Sequence, residues 1–76
     1  MKKGNEKMQL YELVGTLMHE QDVIVIDYNS GKTYARGKAR RVAYSLEYNE
    51  YLRDSKIQLV EIDINNSSIC IHVLKD

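Results

Sequence analysis

The hydrophobic and polar positions of residues 22–38 predict a β-hairpin. Residues 23–26 are all valine or isoleucine, β-branched residues that favour strands over helices. Because this run is apolar on both faces, we expect a central strand that is covered on both sides. Residues 29–31, Asn-Ser-Gly, supply a turn, in which Gly31 can adopt the positive φ of a three-residue loop with a G1 bulge.

Beyond the turn, long side chains alternate with short ones. The long set is Lys32, Tyr34, Arg36 and Lys38, and the short set is Thr33, Ala35, Gly37 and Ala39. Such period-two alternation predicts a strand with one mostly basic face and one face of small residues. The small face would allow a helix to pack closely.

Residues 6–18 predict an amphipathic helix ahead of the hairpin. The apolar side chains that recur at helical spacing are Leu10, Leu13, Val14, Leu17 and Met18, the stripe of a helix that lies on a sheet. Asn5 is the predicted N-cap. Gly15 costs helix stability, which indicates either close packing at this position or a surface glycine.

Residues 43–53 predict a short second helix. Tyr44, Tyr48, Tyr51 and Leu52 recur at i, i+4, i+7 and i+8, which is one face of a helix. The alternative is that the second strand continues through Val42 and Tyr44, since tyrosine is a better strand former than helix former.

Residues 56–64 and 68–74 predict a second hairpin with its turn at residues 65–67. Its apolar positions alternate with polar ones, which gives each strand one core-facing side. The predicted order is α-β-β-α-β-β. We therefore expect a single α+β domain over residues 1–76, with an antiparallel four-stranded sheet of two hairpins packed by a long N-terminal helix and a short second helix.

Composition adds an expectation about assembly and location. The 76 residues include one cysteine, Cys70, so an internal disulfide cannot stabilise this small core. Small domains without such a crosslink often associate, and we expect a homodimer. No apolar run is long enough to span a bilayer, and residues 1–9 lack the apolar region of a signal peptide, so we expect a cytoplasmic protein that does not contact membranes.

A basic segment follows the first turn. It contains Lys32, Tyr34, Arg36, Lys38, Arg40 and Arg41, with no acidic residue between Asp27 and Glu47. A basic strand with an interleaved aromatic side chain can follow a phosphate backbone and stack on a base. The same charges could instead protect an edge strand from aggregation. Nucleic-acid or nucleotide binding is therefore one hypothesis for function.

The tyrosines of residues 43–53 carry the other hypothesis. Tyr44, Tyr48 and Tyr51 are either a packing stripe of the predicted helix or a surface for a partner, because tyrosine is enriched at protein interfaces. No residues form a catalytic, metal-binding or phosphate-loop pattern: Cys70 and His72 would supply only two ligands on one strand face. We expect Asp27 to bond the turn backbone, and we expect no enzyme activity, cofactor or metal.

The chain also carries the elements of a known pattern. These are the leucine-spaced first helix, the strand end Asp27-Tyr28-Asn29-Ser30-Gly31, Gly37, and Tyr51-Leu52 before the last hairpin. The pattern resembles small uncharacterised proteins carried by phages and integrated elements of Gram-positive bacteria. The resemblance implies an accessory protein of a mobile element and assigns no functional residues. The favoured hypothesis is a small non-enzymatic module that binds a protein partner stoichiometrically, such as a host or defence component.

Overall fold

The computed structural model describes residues 9–74, which form three helices and a four-stranded sheet. In chain order the elements are α1 (Leu10–Thr16), β1 (Asp22–Asp27), β2 (Thr33–Lys38), α2 (Ala39–Glu47), α3 (Glu50–Arg53), β3 (Lys56–Asp63) and β4 (Ser68–Leu74). The α+β class and both hairpins are confirmed. Among these residues, no helix has the length and apolarity needed to span a bilayer.

The sheet has the strand order β2-β1-β4-β3 and is mixed. The prediction of a purely antiparallel sheet was wrong, because β1 and β4 pair in parallel, from Asp22 opposite Ser68 to Asp27 opposite Val73. Local turn chemistry predicts pairing within each hairpin but not how two hairpins meet, which depends on long-range packing. As expected, β1 is central.

The first hairpin closes through five residues, 28–32, rather than the predicted three. Gly31 adopts the expected positive φ of 78°. Asp27 bonds the turn as expected: its Oδ2 accepts a hydrogen bond from the backbone N–H of Ser30 at 2.7 Å. The β1–β2 register shifts between Val25 and Ile26, so the alternation of β2 is interrupted by a bulge. Tyr34, at this bulge, packs against the core.

The first helix is shorter than predicted within the described part of the chain. It begins after Gln9, whose backbone N–H donates to Glu12 Oε1 at 3.0 Å. The predicted cap Asn5 lies outside the described residues. The helix ends at Thr16, so Met18 leaves the apolar stripe and is 82% exposed. A Cβ added at Gly15 would meet nothing within 4 Å, which makes Gly15 a surface glycine.

The predicted helix over residues 43–53 is divided in two. It begins earlier, at Ala39, directly after β2, and the alternative of a strand through Val42 and Tyr44 was wrong. Gly37 has a φ of 141° at this change from strand to helix, a backbone angle that only glycine adopts without strain. The helix breaks before Asn49, which caps α3 with its side chain. Local capping thus overrides the longer helical period.

All three helices cover one face of the sheet. The core consists of Leu10, Val14, Val23, Val25, Ala39, Val42, Leu46, Leu52, Ile71 and Val73. The strand residues in this set lie on the face of the sheet that meets the helices. The residues that alternate with them lie on the second face, which no described element covers. That second face carries Ile24 and Ile26 on β1, which are half-buried among the neighbouring side chains of the sheet. The expectation that β1 is covered on both sides is met on one side only. We call the second side the open sheet face.

The strand β3 lies at an edge of the sheet, and Ile57 is its one residue that packs against the core. Val60 and Ile62 of β3, and Ile64 directly after it, alternate as predicted, but they are 45%, 72% and 85% exposed. Among residues 9–74, the outer edge of β3 is paired at its first residue alone, by a bridge between Gln9 and Lys56.

Candidate partner interface

Three tyrosines project from the helical layer into solvent. Tyr44, Tyr48 and Tyr51 are 67%, 71% and 83% exposed. The rings of Tyr44 and Tyr48 meet edge to face with their centroids 5.2 Å apart, and Tyr48 and Tyr51 line a shallow concavity with Ser45 and Asn49. We call these three side chains the tyrosine surface. They are not the packing stripe that helical spacing allowed, because the core-facing side of α2 is formed by Ala39, Val42 and Leu46.

The break between α2 and α3 sets the geometry of the tyrosine surface. The Asn49 side-chain oxygen accepts hydrogen bonds from the backbone N–H groups of Tyr51, at 3.1 Å, and Leu52, at 3.2 Å. Leu52 is buried beneath the surface. Since the side chain of Leu52 anchors α3 in the core, the adjacent Tyr51 is directed outward.

A polar cluster fixes α3 against the other helices. The Tyr11 hydroxyl donates to Glu47 Oε1 at 3.2 Å, and the Arg53 Nη1 donates to the carbonyl oxygen of Glu47 at 3.4 Å. The Arg53 guanidinium lies 5.8 Å from the centroid of the Tyr11 ring, within the range of a cation–π contact. One residue of α1 and one of α3 therefore converge on the end of α2.

The tyrosine surface combines aromatic rings and hydroxyl groups with neighbouring positive charge. The negative charge of Glu47 raises the pKa of Tyr48, with a hydrogen bond to Glu47 adding to the effect, so this phenol remains protonated and able to donate. At the other end, Tyr44 shares a concavity with Arg40 and Arg41. Aromatic rings with polar tips beside arginine are the composition found at the energetic centres of protein interfaces.

The residues of the predicted anion site do not form one surface. Arg36 and Lys38 lie on the open sheet face, opposite Ile24 and Asp22. Tyr34 lies towards the core, and its hydroxyl donates to Asp27 Oδ1 at 3.0 Å. Burial, reinforced by this bond, raises the pKa of Tyr34. The stacking role proposed for Tyr34 would require it to leave these contacts.

The remaining basic residues are divided between a loop and a helix. Lys32 is exposed beside the first turn, whereas Arg40 and Arg41 belong to α2. Arg40 Nε lies 2.8 Å from Glu20 Oε2, and this bond lowers the pKa of Glu20. Lys38 Nζ lies 3.3 Å from Asp22 Oδ1. Two of the five cations are therefore already neutralised within the chain.

The open sheet face carries a contact that the sequence pattern did not single out. His72 Nε2 lies 2.8 Å from Glu61 Oε1 on the neighbouring strand. Cys70 is opposite Glu61 in the register. No group of three or more metal-ligating side chains occurs among residues 9–74. The period-two pattern of β3 and β4 placed these side chains on one face, but only the strand pairing brings them together.

Asn49 was not among the predicted site residues, although asparagine is a preferred N-cap and here precedes an acidic residue.

Searches of protein-family models, of curated proteins and of solved structures found no match to this chain.

Proposed function

We propose that the protein is a small, non-enzymatic binding module that forms a stoichiometric complex with a protein partner through the tyrosine surface. The observation that carries this proposal is the exposure of Tyr44, Tyr48 and Tyr51 on α2 and α3, two helices whose valine and leucine side chains are buried. Tyrosine provides a large contact area at a small entropic cost, and its hydroxyl hydrogen-bonds to the partner.

The support around these tyrosines favours a preformed surface. Residues on α1, α2 and α3 hold the α2–α3 break in place through Tyr11, Glu47 and Arg53. A surface that is ordered before binding loses less conformational entropy on association. The resemblance to accessory proteins of mobile elements favours a host or defence protein of a Gram-positive bacterium as the partner, and a cytoplasmic site of action.

The test compares the wild-type chain with a triple variant, Tyr44→Ala, Tyr48→Ala and Tyr51→Ala, as bait in lysate of a Gram-positive host. Quantitative mass spectrometry should find a protein that the wild-type chain enriches at least tenfold over the triple variant. Calorimetry with that protein, once purified, should give a fixed stoichiometry and a loss of at least tenfold in affinity for Tyr48→Ala.

The matched control is Tyr28→Ala. Tyr28 is 49% exposed but lies in the first hairpin loop, away from α2 and α3. This variant should retain the partner. Circular dichroism must show that all variants fold like the wild type. Equal capture by the triple variant and the wild type would overturn the proposal.

Nucleic-acid binding through the basic residues of β2 and α2 is the less well supported alternative. It draws on Arg36, which has no ion pair within the described part of the chain, and on the Arg40–Arg41–Tyr44 concavity. It predicts binding to labelled single-stranded DNA or RNA that weakens steeply with salt. The double variant Arg36→Glu, Lys38→Glu should abolish that binding, and fluorescence anisotropy at low salt measures it.

A further inference from the structure

The open sheet face has an apolar centre and charged borders. Its centre contains Ile24 and Ile26 on β1 and Cys70, His72 and Leu74 on β4. The residues of β1 and β4 on the other side of the sheet are covered by helices. In a two-layer α+β domain, a solvent-facing side of the sheet usually alternates to polar residues. Here β1 carries Ile24 and Ile26 beside Asp22, and β4 carries Cys70 and Leu74 beside Ser68 and His72. The apolar part of this mixed face indicates that the face is also covered.

The two borders of the open sheet face carry opposite charges. Arg36 and Lys38 lie on β2 at one edge of the sheet, and Glu61 and Asp63 lie on β3 at the other. The register places them in two rows across the sheet. Arg36 and Glu61 end the row that contains Ile24, and Lys38 and Asp63 end the row that contains Asp22.

This arrangement is complementary to itself. A two-fold axis parallel to the strands, passing between β1 and β4 above the open sheet face, lays β2 of one copy over β3 of the other. It preserves the rows, so Arg36 faces Glu61 of the second copy and Lys38 faces Asp63 of the second copy. The central side chains then meet, with Ile24 over Cys70 and Ile26 over His72 of the other copy. Such an interface is isologous, as two-fold symmetry requires.

We infer that the open sheet face is a homodimer interface in which two copies stack sheet on sheet, with the basic border of each against the acidic border of the other. Stacked sheets pack about 10 Å apart with strands aligned within about 30°, a separation that arginine and lysine side chains at the borders can span. The apolar side chains of the centre provide the affinity, and the four charged pairs fix the orientation. Within each copy, Lys38 and Glu61 also contact Asp22 and His72, and they exchange or share these contacts in the dimer.

The area of the open sheet face sets the expected affinity of the dimer. Four strands about 4.8 Å apart and six residues of about 3.3 Å each span roughly 20 Å by 20 Å, which is a planar area of roughly 400 Å² per copy. The two copies together bury roughly 800 Å², which is less than the roughly 1,200–2,000 Å² of a stable interface and in the range of weak, transient contacts. We therefore expect a dimer that dissociates on dilution, with a dissociation constant in the micromolar range.

Edge pairing between two copies of β3 is the competing arrangement. The exposed residues Val60 and Ile62 would favour it. However, an antiparallel two-fold pairing centred on Glu61 places the two Glu61 carboxylates opposite each other, and one centred on Ile62 places Glu61 opposite Asp63. Like charges directly opposite each other in a sheet are destabilising. This conflict disfavours both of these registers. A pairing centred on Val60 avoids it, and R36E, which lies on the opposite edge strand, separates that arrangement from stacking through the open sheet face.

The experiment is sedimentation velocity over a concentration series, with two single charge-reversal variants, R36E and E61K. In each variant alone, like charges face each other at both ends of the interface, so self-association should weaken at least tenfold. An equimolar mixture should form a heterodimer, because the acidic replacement in one chain then faces the lysine replacement in the other. The double variant R36E/E61K should again self-associate.

Folding is monitored separately by circular dichroism, and Ile62→Glu is the matched control at the β3 edge. It should leave the dimer unchanged. A wild-type chain that is monomeric throughout a concentration series up to the millimolar range would overturn the inference. So would dimerisation that is lost in Ile62→Glu but kept in R36E, or a mixture of the two charge variants that shows no heterodimer.

Discussion

The Asp27 carboxylate accepts a hydrogen bond from the Tyr34 hydroxyl at 3.0 Å, across the first hairpin. Its second oxygen accepts the backbone N–H of Ser30. These bonds, the Ser30 backbone bond foremost, lower the pKa of Asp27. A carboxylate with a depressed pKa in the folded state stabilises that state at pH values above its unfolded pKa, about 4, and the contribution is lost as the pH falls through the folded pKa.

We therefore expect Asp27→Ala to be less stable than the wild type at pH 7, and the difference to shrink by pH 2. Urea denaturation at the two pH values measures it. Asp27→Asn keeps an acceptor for the Ser30 N–H without the charge, so its deficit should be smaller and nearly independent of pH. An equal deficit for Asp27→Ala at both pH values would contradict the role of the charge.

Alanine substitutions at Gly15 and Gly37 form a matched pair that tests how the backbone angle φ affects the stability of the fold. A Cβ added at either position would meet nothing within 4 Å, but only Gly37 has a positive φ, of 141°. Gly15→Ala in α1 should raise the free energy of unfolding by up to about 1 kcal/mol. Gly37→Ala should lower it by about 1–3 kcal/mol, because it strains the turn from β2 into α2. Thermal denaturation measures both, and changes of the same sign would refute this explanation.

Ser55 and Ser68 are both buried and differ in hydrogen bonding. The Ser55 hydroxyl has no hydrogen-bond partner in the described structure, whereas the Ser68 hydroxyl donates to the Asn66 carbonyl at 3.2 Å. Ser55→Ala removes an unsatisfied polar group, so it should be neutral or stabilise by up to about 1 kcal/mol. Ser68→Ala should cost about 0.5–1.5 kcal/mol. Chemical denaturation that finds Ser55→Ala to be the less stable of the two would show that Ser55 has a partner.

Asn49 should determine the stability of α3. Its side chain caps two backbone N–H groups, so Asn49→Ala should cost about 0.5–2 kcal/mol of unfolding free energy. Asn49→Asp retains the acceptor and should cost much less. Urea denaturation compares the two. Equal losses for alanine and aspartate would mean that the α2–α3 break does not depend on the cap.

The sequence pattern predicts the local elements of this fold better than their assembly. Both hairpins, the φ of Gly31 and the faces of β3 and β4 follow from side chains within a few residues of one another. The parallel pairing of β1 with β4 does not, because nothing near Val23 or Val25 specifies which strand lies beside them. The single helix predicted over residues 43–53 was wrong for a local reason: Asn49 caps a new helix at the point where the spacing of the tyrosines alone would continue the first one.

The candidate site was predictable in part. The spacing of the three tyrosines indicates them, but the exposure of Tyr44 depends on which face of α2 meets the sheet, and Val42 and Leu46 occupy that face. The exposure of Tyr51 depends on Leu52, which anchors α3 in the core. The rows of charges across the open sheet face could not be predicted from the sequence. The charges of β2 and β3 can be assigned to opposite borders only when the strand order is known.

The parallel pair at the centre of the sheet also shapes how the chain reaches its fold. Gln21 and Ser67 hydrogen-bond although they are 46 positions apart, and the ladder from Asp22 and Ser68 begins beside them. A chain emerging from the ribosome can close the first hairpin and α2 early, but the inner edge of β1 has no strand to pair with until β4 has been made. Such distant contacts slow folding. During that interval the unpaired edge of residues 22–27 is the place where the nascent chain is most open to a wrong partner.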